Sequence, residues 1–283
     1  MHDAKITVLL STYNRRDFLS AAIESVRKQT FYDWRLLVVN DGGYDVSDVI
    51  RSYGDSRIQY FDRAHLGKAA QMNFLMRKVG SKYVGYMDDD DVMLPRHLEA
   101  LVGTAEKKSA SFVYSVLRRV FLSPDGRIVK TDVPKARDVT FDDIRILNTI
   151  GHPLVVHTKE LADRIGPYDE RLRILIDYDY IKRLAKEARP VHVREVTYEY
   201  RFRLKTDDPN DFDSISGLWK TAPEIAGRSL LVLFEKDPSA LSMLYQDYDR
   251  LRGELDRMLH STCWRLTLPL RVAAGAIKRI FRK

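Results

Sequence analysis

The chain has 283 residues, of which 45% are hydrophobic and 31% charged, with a formal net charge of +7. That length carries one large α/β domain plus an appendage. A single cysteine, Cys263, excludes an internal disulfide and fits a reducing compartment, and no run approaches the roughly 20 apolar residues of a membrane span.

No secretory leader is read at the N-terminus, because charged Asp3 and Lys5 lead into only the short run Ile6–Leu10. Lys5–Ser11 reads as a buried strand. Asp17–Gln29 places Phe18, Leu19, Ala22, Ile23 and Val26 at helical spacing. Trp34–Val39 is a second strand, apolar on both faces, as a covered parallel sheet requires. Asn40-Asp41-Gly42-Gly43 then turns the chain. Val46–Tyr53 reads as a helix, Arg57–Phe61 as a strand, Gly67–Lys78 as a helix and Tyr83–Met87 as a fourth strand. Strand and helix alternate, which predicts a parallel, doubly wound sheet.

In such a sheet, ligands bind outside the carboxyl ends of the strands. Three polar clusters follow strand ends: Ser11-Thr12-Tyr13-Asn14, Asn40-Asp41 and Asp88-Asp89-Asp90-Asp91. Parallel strands put all three on one edge. The acidic run is costly, since unit charges about 4 Å apart repel by roughly 4 kcal/mol at an effective dielectric near 20. All-oxygen ligands suit Mg²⁺ or Mn²⁺ held with substrate phosphates. The competing reading is a solvated loop whose aspartates cap a helix, begun at Pro95 and running through His97–Lys107.

Beyond Pro95 the pattern changes. Ser111–Leu122 and Arg127–Thr131, joined by Ser123-Pro-Asp-Gly126, predict a hairpin. Thr140 and Asp143 form a capping box ahead of Ile144–Leu147. Leu154–His157 is a short strand, and Lys159–Ile165 a helix ended by Gly166-Pro167. Asp177–Lys186 is a helix with Ile181, Leu184 and Ala185 inward. Pro190–Phe202 alternates like an edge strand. His152 and His157 flank a short apolar strand, where histidine is usually structural.

Polar Thr206–Asp213 marks a boundary or loop. Leu241, Leu244, Tyr248, Leu251, Leu255 and Met258 form a short heptad seam. The seam serves either packing on the chain's own catalytic domain or a homodimer. After Asp256 there is no acidic residue, while Arg257, Arg265, Arg271, Lys278, Arg279, Arg282 and Lys283 follow. From Leu270 onward, basic and apolar residues fall on opposite faces of a helix. That pattern fits an anionic membrane surface, at about 1 kcal/mol per basic side chain, and not nucleic acid. The predicted organisation is a catalytic domain over 1–205, a linker and helical or coiled-coil extension over 206–262, and a basic amphipathic tail over 263–283.

Five motifs in order resemble family 2 glycosyltransferases with the GT-A fold. They are Val8-Leu-Leu-Ser-Thr-Tyr-Asn14-Arg15, Ser25-Val-Arg-Lys-Gln-Thr30, Val38-Val-Asn-Asp41-Gly42, Asp88-Asp-Asp-Asp91 before Pro95, and Gly166-Pro-Tyr-Asp169-Glu170 followed by Asp177-Tyr-Asp179 through Arg183-Leu184. The tail Ser261-Thr-Cys-Trp264-Arg-Leu-Thr-Leu-Pro269-Leu-Arg271 resembles that of bacterial surface-polysaccharide glycosyltransferases, of the O-antigen, capsule or exopolysaccharide kind. The resemblance implies a Rossmann-like, mostly parallel α/β sheet with helices on both faces and a C-terminal helical extension.

It also implies a nucleotide-sugar donor, with UDP the default and dTDP or GDP open. The acceptor would be a saccharide or a lipid-linked sugar, at the cytoplasmic face of the cell membrane. By resemblance, Ser11, Tyr13 and Asp41 hold base and ribose, with Thr12, Asn14, Arg15, Lys68, Asp88 and Asp89 completing the nucleotide site. Asp90, with Asp88, would hold Mn²⁺ or Mg²⁺, although Asp89 and Asp91 leave the register open by one. Asp177 matches the catalytic base of an inverting transfer, with Asp179 the alternative and helix capping the plain reading.

Three departures from the family stand out. Ile176 replaces the acid before the base. Met72 replaces an arginine, which shifts diphosphate contact to Lys68 or His65. Arg203 replaces a histidine in Tyr200-Arg-Phe-Arg203. These departures keep a catalytically inactive scaffold open. A sugar-nucleotide pyrophosphorylase would want a glycine-rich loop after the first strand, and Ser11–Arg15 has no glycine.

Overall fold

The computed structural model describes residues 4–146, 149–204, 232–233 and 236–237. Contacts divide the chain into two units, Met1–Leu233 and Phe234–Lys283. Leu147, the polar 206–213 segment, the heptad seam and the basic tail lie outside the described residues.

The elements run β1 (Ile6–Thr12), α1 (Arg16–Arg27), β2 (Trp34–Asn40), α2 (Ser47–Ser52), β3 (Ile58–Asp62), α3 (Lys68–Met76), β4 (Tyr83–Asp88), β5 (Val92–Met93), α4 (His97–Lys107), β6 (Phe112–Leu122), β7 (Ile128–Asp132), α5 (Phe141–Ile146), β8 (Val155–Thr158), α6 (Lys159–Ile165), α7 (Ile176–Glu187) and β9 (Val191–Arg203). Their order across the sheet is β3-β2-β1-β4-β8-β6-β9-β5, with β7 beside β6. The first four strands are parallel, as their alternation with helices predicted. From β8 onward the sheet is mixed: β8 is antiparallel to β4 and β6, and β9 is parallel to β6. This is a GT-A arrangement.

The central strands are apolar because both faces are covered. Ile6–Leu10 and Leu36–Val39 are buried throughout. Fully burying one such side chain contributes about 1.5–3 kcal/mol, so these strands fix the sheet's middle. Helix α3 packs on β1 and β2, α4 on β6 and β9, and α6 on β8. Thr158 caps α6 by accepting from the Leu161 amide at 3.2 Å, and Gly166 stops it at φ 78°. The Thr140–Asp143 capping box forms, each residue accepting from the other's amide.

Phe18, on α1, is partly buried, with the Arg203 guanidinium 3.6 Å from its ring centroid. Two expectations change. Helix α4 starts at His97, not Pro95, because Val92–Met93 first pair with β9. Its N-cap is Arg96, with no side-chain cap, so the aspartates do not serve as caps. As its alternation predicted, β9 is an edge over most of its span: it pairs along its length with β6 and meets β5 only at Tyr198 and Glu199.

Candidate active site

Register brings the three polar clusters together. Thr12 aligns with Asn40 across β1 and β2, and Ser11 aligns with Asp88 across β1 and β4. The Asp41 amide donates to the Thr12 carbonyl at 2.9 Å, so buried Thr12 ties two strand ends. Ser11 is partly buried beside it, and Tyr13 projects at 45% exposure. Asn14 sits at φ 55° and accepts from the Tyr44 amide at 3.1 Å. Gly43 sits at φ 85°, where an L side chain is strained, and a Cβ there would also displace the Asn14 side-chain oxygen.

Asp41 is the anchor of this end. It is 3% exposed, and its carboxylate accepts from the Leu66 amide at 2.8 Å, the Gly67 amide at 3.1 Å and Gln71 Nε2 at 2.5 Å. His65 Nδ1 lies 3.0 Å from both its backbone oxygen and Oδ2. The His65 ring stacks on Tyr13, centroids 4.3 Å apart and planes 21° apart. Gly67 at φ 93° then turns the chain into α3, whose first residue is Lys68.

The acidic run spreads its side chains over different partners. Lys68 Nζ donates to Asp88 Oδ1 at 2.7 Å. Burial works against ionisation of Asp88, but Lys68, with Arg15, more than offsets it and holds the carboxyl below its ordinary value. Asp89 is 7% exposed, and burial pushes it up to about 6 although Arg15 lies 3.5 Å away. Asp90 is gripped by Arg15, and by Arg203 at 3.4 Å, while Arg203 Nη2 also donates to the Asp90 carbonyl at 2.9 Å. Asp91 is 2% exposed and accepts from the Arg201 amide at 2.8 Å. Burial, with Asp88 and Asp90 nearby, holds Asp91 well above the ordinary carboxylate range. Asp91 therefore joins β9 to the run, while Asp88 and Asp90 keep partly exposed carboxylates.

Asp177 lies in the first turn of α7, behind Leu175 at φ 59°. Its Oδ1 accepts from the Tyr178 amide at 2.9 Å. Burial raises its carboxyl above the ordinary value, and Lys68 pulls the other way. Lys68 thus acts on both Asp88 and Asp177. Asp179, two residues on, is fully buried and receives Arg183 Nε at 3.0 Å, which fastens α7 to the carbonyls of Ile165 and Gly166. Asp179 has no solvent face. Ile176 is 9% exposed and packs in the core.

Other residues fall into place. Met72 is buried, and its neighbour Asn73 bonds the backbone of Tyr168 and the Glu170 carboxylate at 2.8 Å. That link holds α3 against the segment leading to Asp177. His152 and His157 are buried against Tyr168 and Tyr86, and burial lowers them to about 3 and about 4. They are structural, as expected. The His65–Tyr13 stack and the Arg203–Asp90 pair were not foreseen; each joins residues far apart in sequence. Among the described residues, no set of three or more His, Cys, Asp or Glu side chains is arranged to hold a metal by itself.

The comparisons agree with this architecture. The family model for glycosyl transferase family 2 matches residues 7–160, more than half of the chain. YwdF of Bacillus subtilis, an uncharacterized glycosyltransferase, is 28% identical over 205 residues, covering 70% of this chain and 74% of that protein. WfgD of Escherichia coli is named as a UDP-Glc:alpha-D-GlcNAc-diphosphoundecaprenol beta-1,3-glucosyltransferase. It is 29% identical over 116 residues, covering 40% of this chain and 46% of that protein. Against an uncharacterized Rickettsia bellii glycosyltransferase, 33% identical over 122 residues and 42% of this chain, the match spans 18% of that protein's length. In fold, the chain resembles S. aureus TarS 1-349 in complex with UDP, with a TM-score of 0.61 at 17% identity over 91% of this chain and 72% of that one. It also resembles the mannosyltransferase PcManGT of Pyrobaculum calidifontis in complex with GDP-Man and Mn²⁺, with a TM-score of 0.55 at 14% identity over 100% of this chain and 88% of that one. The chain belongs to glycosyl transferase family 2.

Proposed function

We propose that the chain is an inverting glycosyltransferase that moves a sugar from a nucleotide-diphosphate donor, a UDP-sugar by default, to a saccharide or lipid-linked acceptor in bacterial surface-polysaccharide synthesis. The observation that carries this reading is the single cation, Lys68, that bonds Asp88 and acts electrostatically on Asp177. It gives a diphosphate a counter-charge beside a basic carboxylate. The base and ribose would lie against Ser11, Tyr13 and Asp41, with Thr12 and Asn14 shaping the strand end. Lys68, Arg15 and Arg203 would face the diphosphate, with Asp88 and Asp89 toward ribose or sugar.

Asp177 would take the proton of an acceptor hydroxyl while that oxygen attacks the anomeric carbon. The bond to the diphosphate oxygen breaks, the nucleoside diphosphate leaves with the electron pair, and the configuration inverts. A carboxyl raised by burial is the better base, and the Lys68 ammonium opposes that rise by favouring the carboxylate.

Asp90 and Asp88 offer hard, partly exposed oxygens, which fits Mn²⁺ or Mg²⁺ bound through one or two carboxylates plus donor phosphates. Such an ion neutralises charge on a leaving diphosphate. The Mn²⁺ named with PcManGT and the undecaprenol-linked acceptor named with WfgD support the metal and the acceptor class. Among the described residues, no helix is long and apolar enough to cross a membrane. Attachment to the inner face of the cell membrane would rest on the basic tail over 263–283, and any homodimer on the 206–262 extension.

The test is donor turnover against a panel of UDP-, dTDP- and GDP-sugars with lipid-linked and synthetic saccharide acceptors, the anomeric configuration of the product read by NMR. Asp177→Asn should lower kcat by about 10²–10⁴ while nucleotide affinity stays within a few-fold. A product of retained configuration, or an active Asp177→Asn variant, refutes the assignment.

A further inference from the structure

We infer that His65 occupies the subsite of the donor's nucleobase when no donor is bound, so that the nucleotide must displace the imidazole to enter; this rests on the donor reading above. Two contacts define that subsite in the reading: stacking on Tyr13 and a hydrogen bond into Asp41. His65 makes the first and stands at the place of the second. Its ring stacks on Tyr13 with centroids 4.3 Å apart, and its Nδ1 bonds the Asp41 backbone carbonyl at 3.0 Å while standing 3.0 Å from Asp41 Oδ2. A flat nitrogen heterocycle with an N–H at its edge presents the same chemistry as a pyrimidine. A base that takes both contacts must take the position of this ring.

The neighbours show which contact can be exchanged. A carboxylate has about four acceptor positions. On Asp41 the Leu66 and Gly67 amides and Gln71 Nε2 fill the others. Leu66 and Gly67 bond through backbone at the start of α3, and Gln71 is fully buried. None of these can leave without opening the fold. The His65 side chain is 57% exposed and can swing out by side-chain rotation alone. Its backbone need not move: it packs on Gly42, where a Cβ would stand 3.0 Å from the His65 nitrogen, so the 65–67 turn stays on Asp41 while the ring departs. With its ring on Tyr13 and Asp41, His65 leaves to Lys68 the diphosphate contact that Met72 had shifted to one or the other, and is a built-in competitor that sets donor affinity through the base.

The test is calorimetric binding of UDP, dTDP and GDP to the full-length protein and to His65→Ala, with pyrophosphate as the base-free control. The nucleotide that wild type binds most tightly should bind His65→Ala about tenfold more tightly, the size of one base–aromatic stack. Pyrophosphate affinity should be the same in both proteins. In wild type, the His65 ring protons should lose their ring-current shift from Tyr13 as nucleotide saturates, read by carbon-edited NMR. Unchanged or weaker nucleotide binding by His65→Ala overturns this inference alone, as does a His65 ring that stays stacked at saturation. Failure of folded wild type to bind any of the three nucleotides overturns the donor reading and this inference with it.

Discussion

Asp41→Asn isolates the anchor of the site, because it keeps the side chain's size and removes one acceptor oxygen and the charge. In the native chain one carboxylate holds the Leu66 and Gly67 amides and Gln71 Nε2 at 2.5–3.1 Å, in a place 3% exposed to solvent. An amide can serve some of these donors with its oxygen, but its NH₂ then faces another N–H. At least one buried donor loses its partner, and the surviving bonds lose charge assistance. A hydrogen bond to a charged group contributes about 1.5–3 kcal/mol and a neutral one about half that, so the change should cost about 2–3 kcal/mol. For a unit of this size that lowers Tm by about 4–12 °C. The assay is denaturant unfolding, with amide exchange read at Leu66 and Gly67. Those two amides should lose more protection than the buried amides of β1 and β2. A loss under about 0.5 kcal/mol, with Leu66 and Gly67 still protected, refutes the anchoring role of Asp41.

Two further outcomes follow from buried charge. His97 is fully buried, is hydrogen-bonded through Nδ1 to Thr197 Oγ1 at 2.8 Å and is lowered by burial to about 3, and its Nε2 has no partner among the described residues. The unfolded chain binds that proton near pH 6.5, so the His97 share of stability is intact above about pH 6.5 and drains as pH falls toward 3. By about pH 5 the loss is about 2 kcal/mol, and His97→Gln should lose that much less stability than wild type between pH 7.5 and 5 in denaturant titrations. Parallel pH dependences in the two proteins would show that the ring does not titrate this way. Lys68→Met removes the cation that favours ionised Asp177, so the acidic limb of kcat/KM should move to higher pH and nucleotide affinity should fall about tenfold. An unmoved limb would separate Lys68 from Asp177.

The legible part of this chain was local. Apolar runs and helical spacing located most of the elements, and strand-end chemistry placed Ser11–Asn14, Asp41 and Asp88–Asp91 on one edge. Parallel pairing of β1, β2, β3 and β4 follows from the helices between them. The order β8-β6-β9-β5 does not, because nothing in a strand's own sequence names its neighbour across long loops. The burial of Asp179 was likewise hidden, since it depends on Arg183 reaching back from the next turn. Arg203 on Asp90 and His65 on Tyr13 are through-space pairs that spacing cannot predict. Burial, more than residue type, separates the four acidic neighbours: Asp91 is structural because β9 covers it.

We propose that the edge formed by β1, β2 and β4 binds a nucleoside diphosphate with a divalent ion at Asp90. Calorimetric titration of UDP, dTDP and GDP, with and without Mn²⁺, into wild type and Asp90→Ala tests it most directly. One nucleotide should bind tightly with Mn²⁺, and Asp90→Ala should lose the Mn²⁺-dependent part while remaining folded. Binding of none of the three by folded wild type would contradict the donor site, and Mn²⁺-dependent binding undiminished in Asp90→Ala would contradict the placement of the ion.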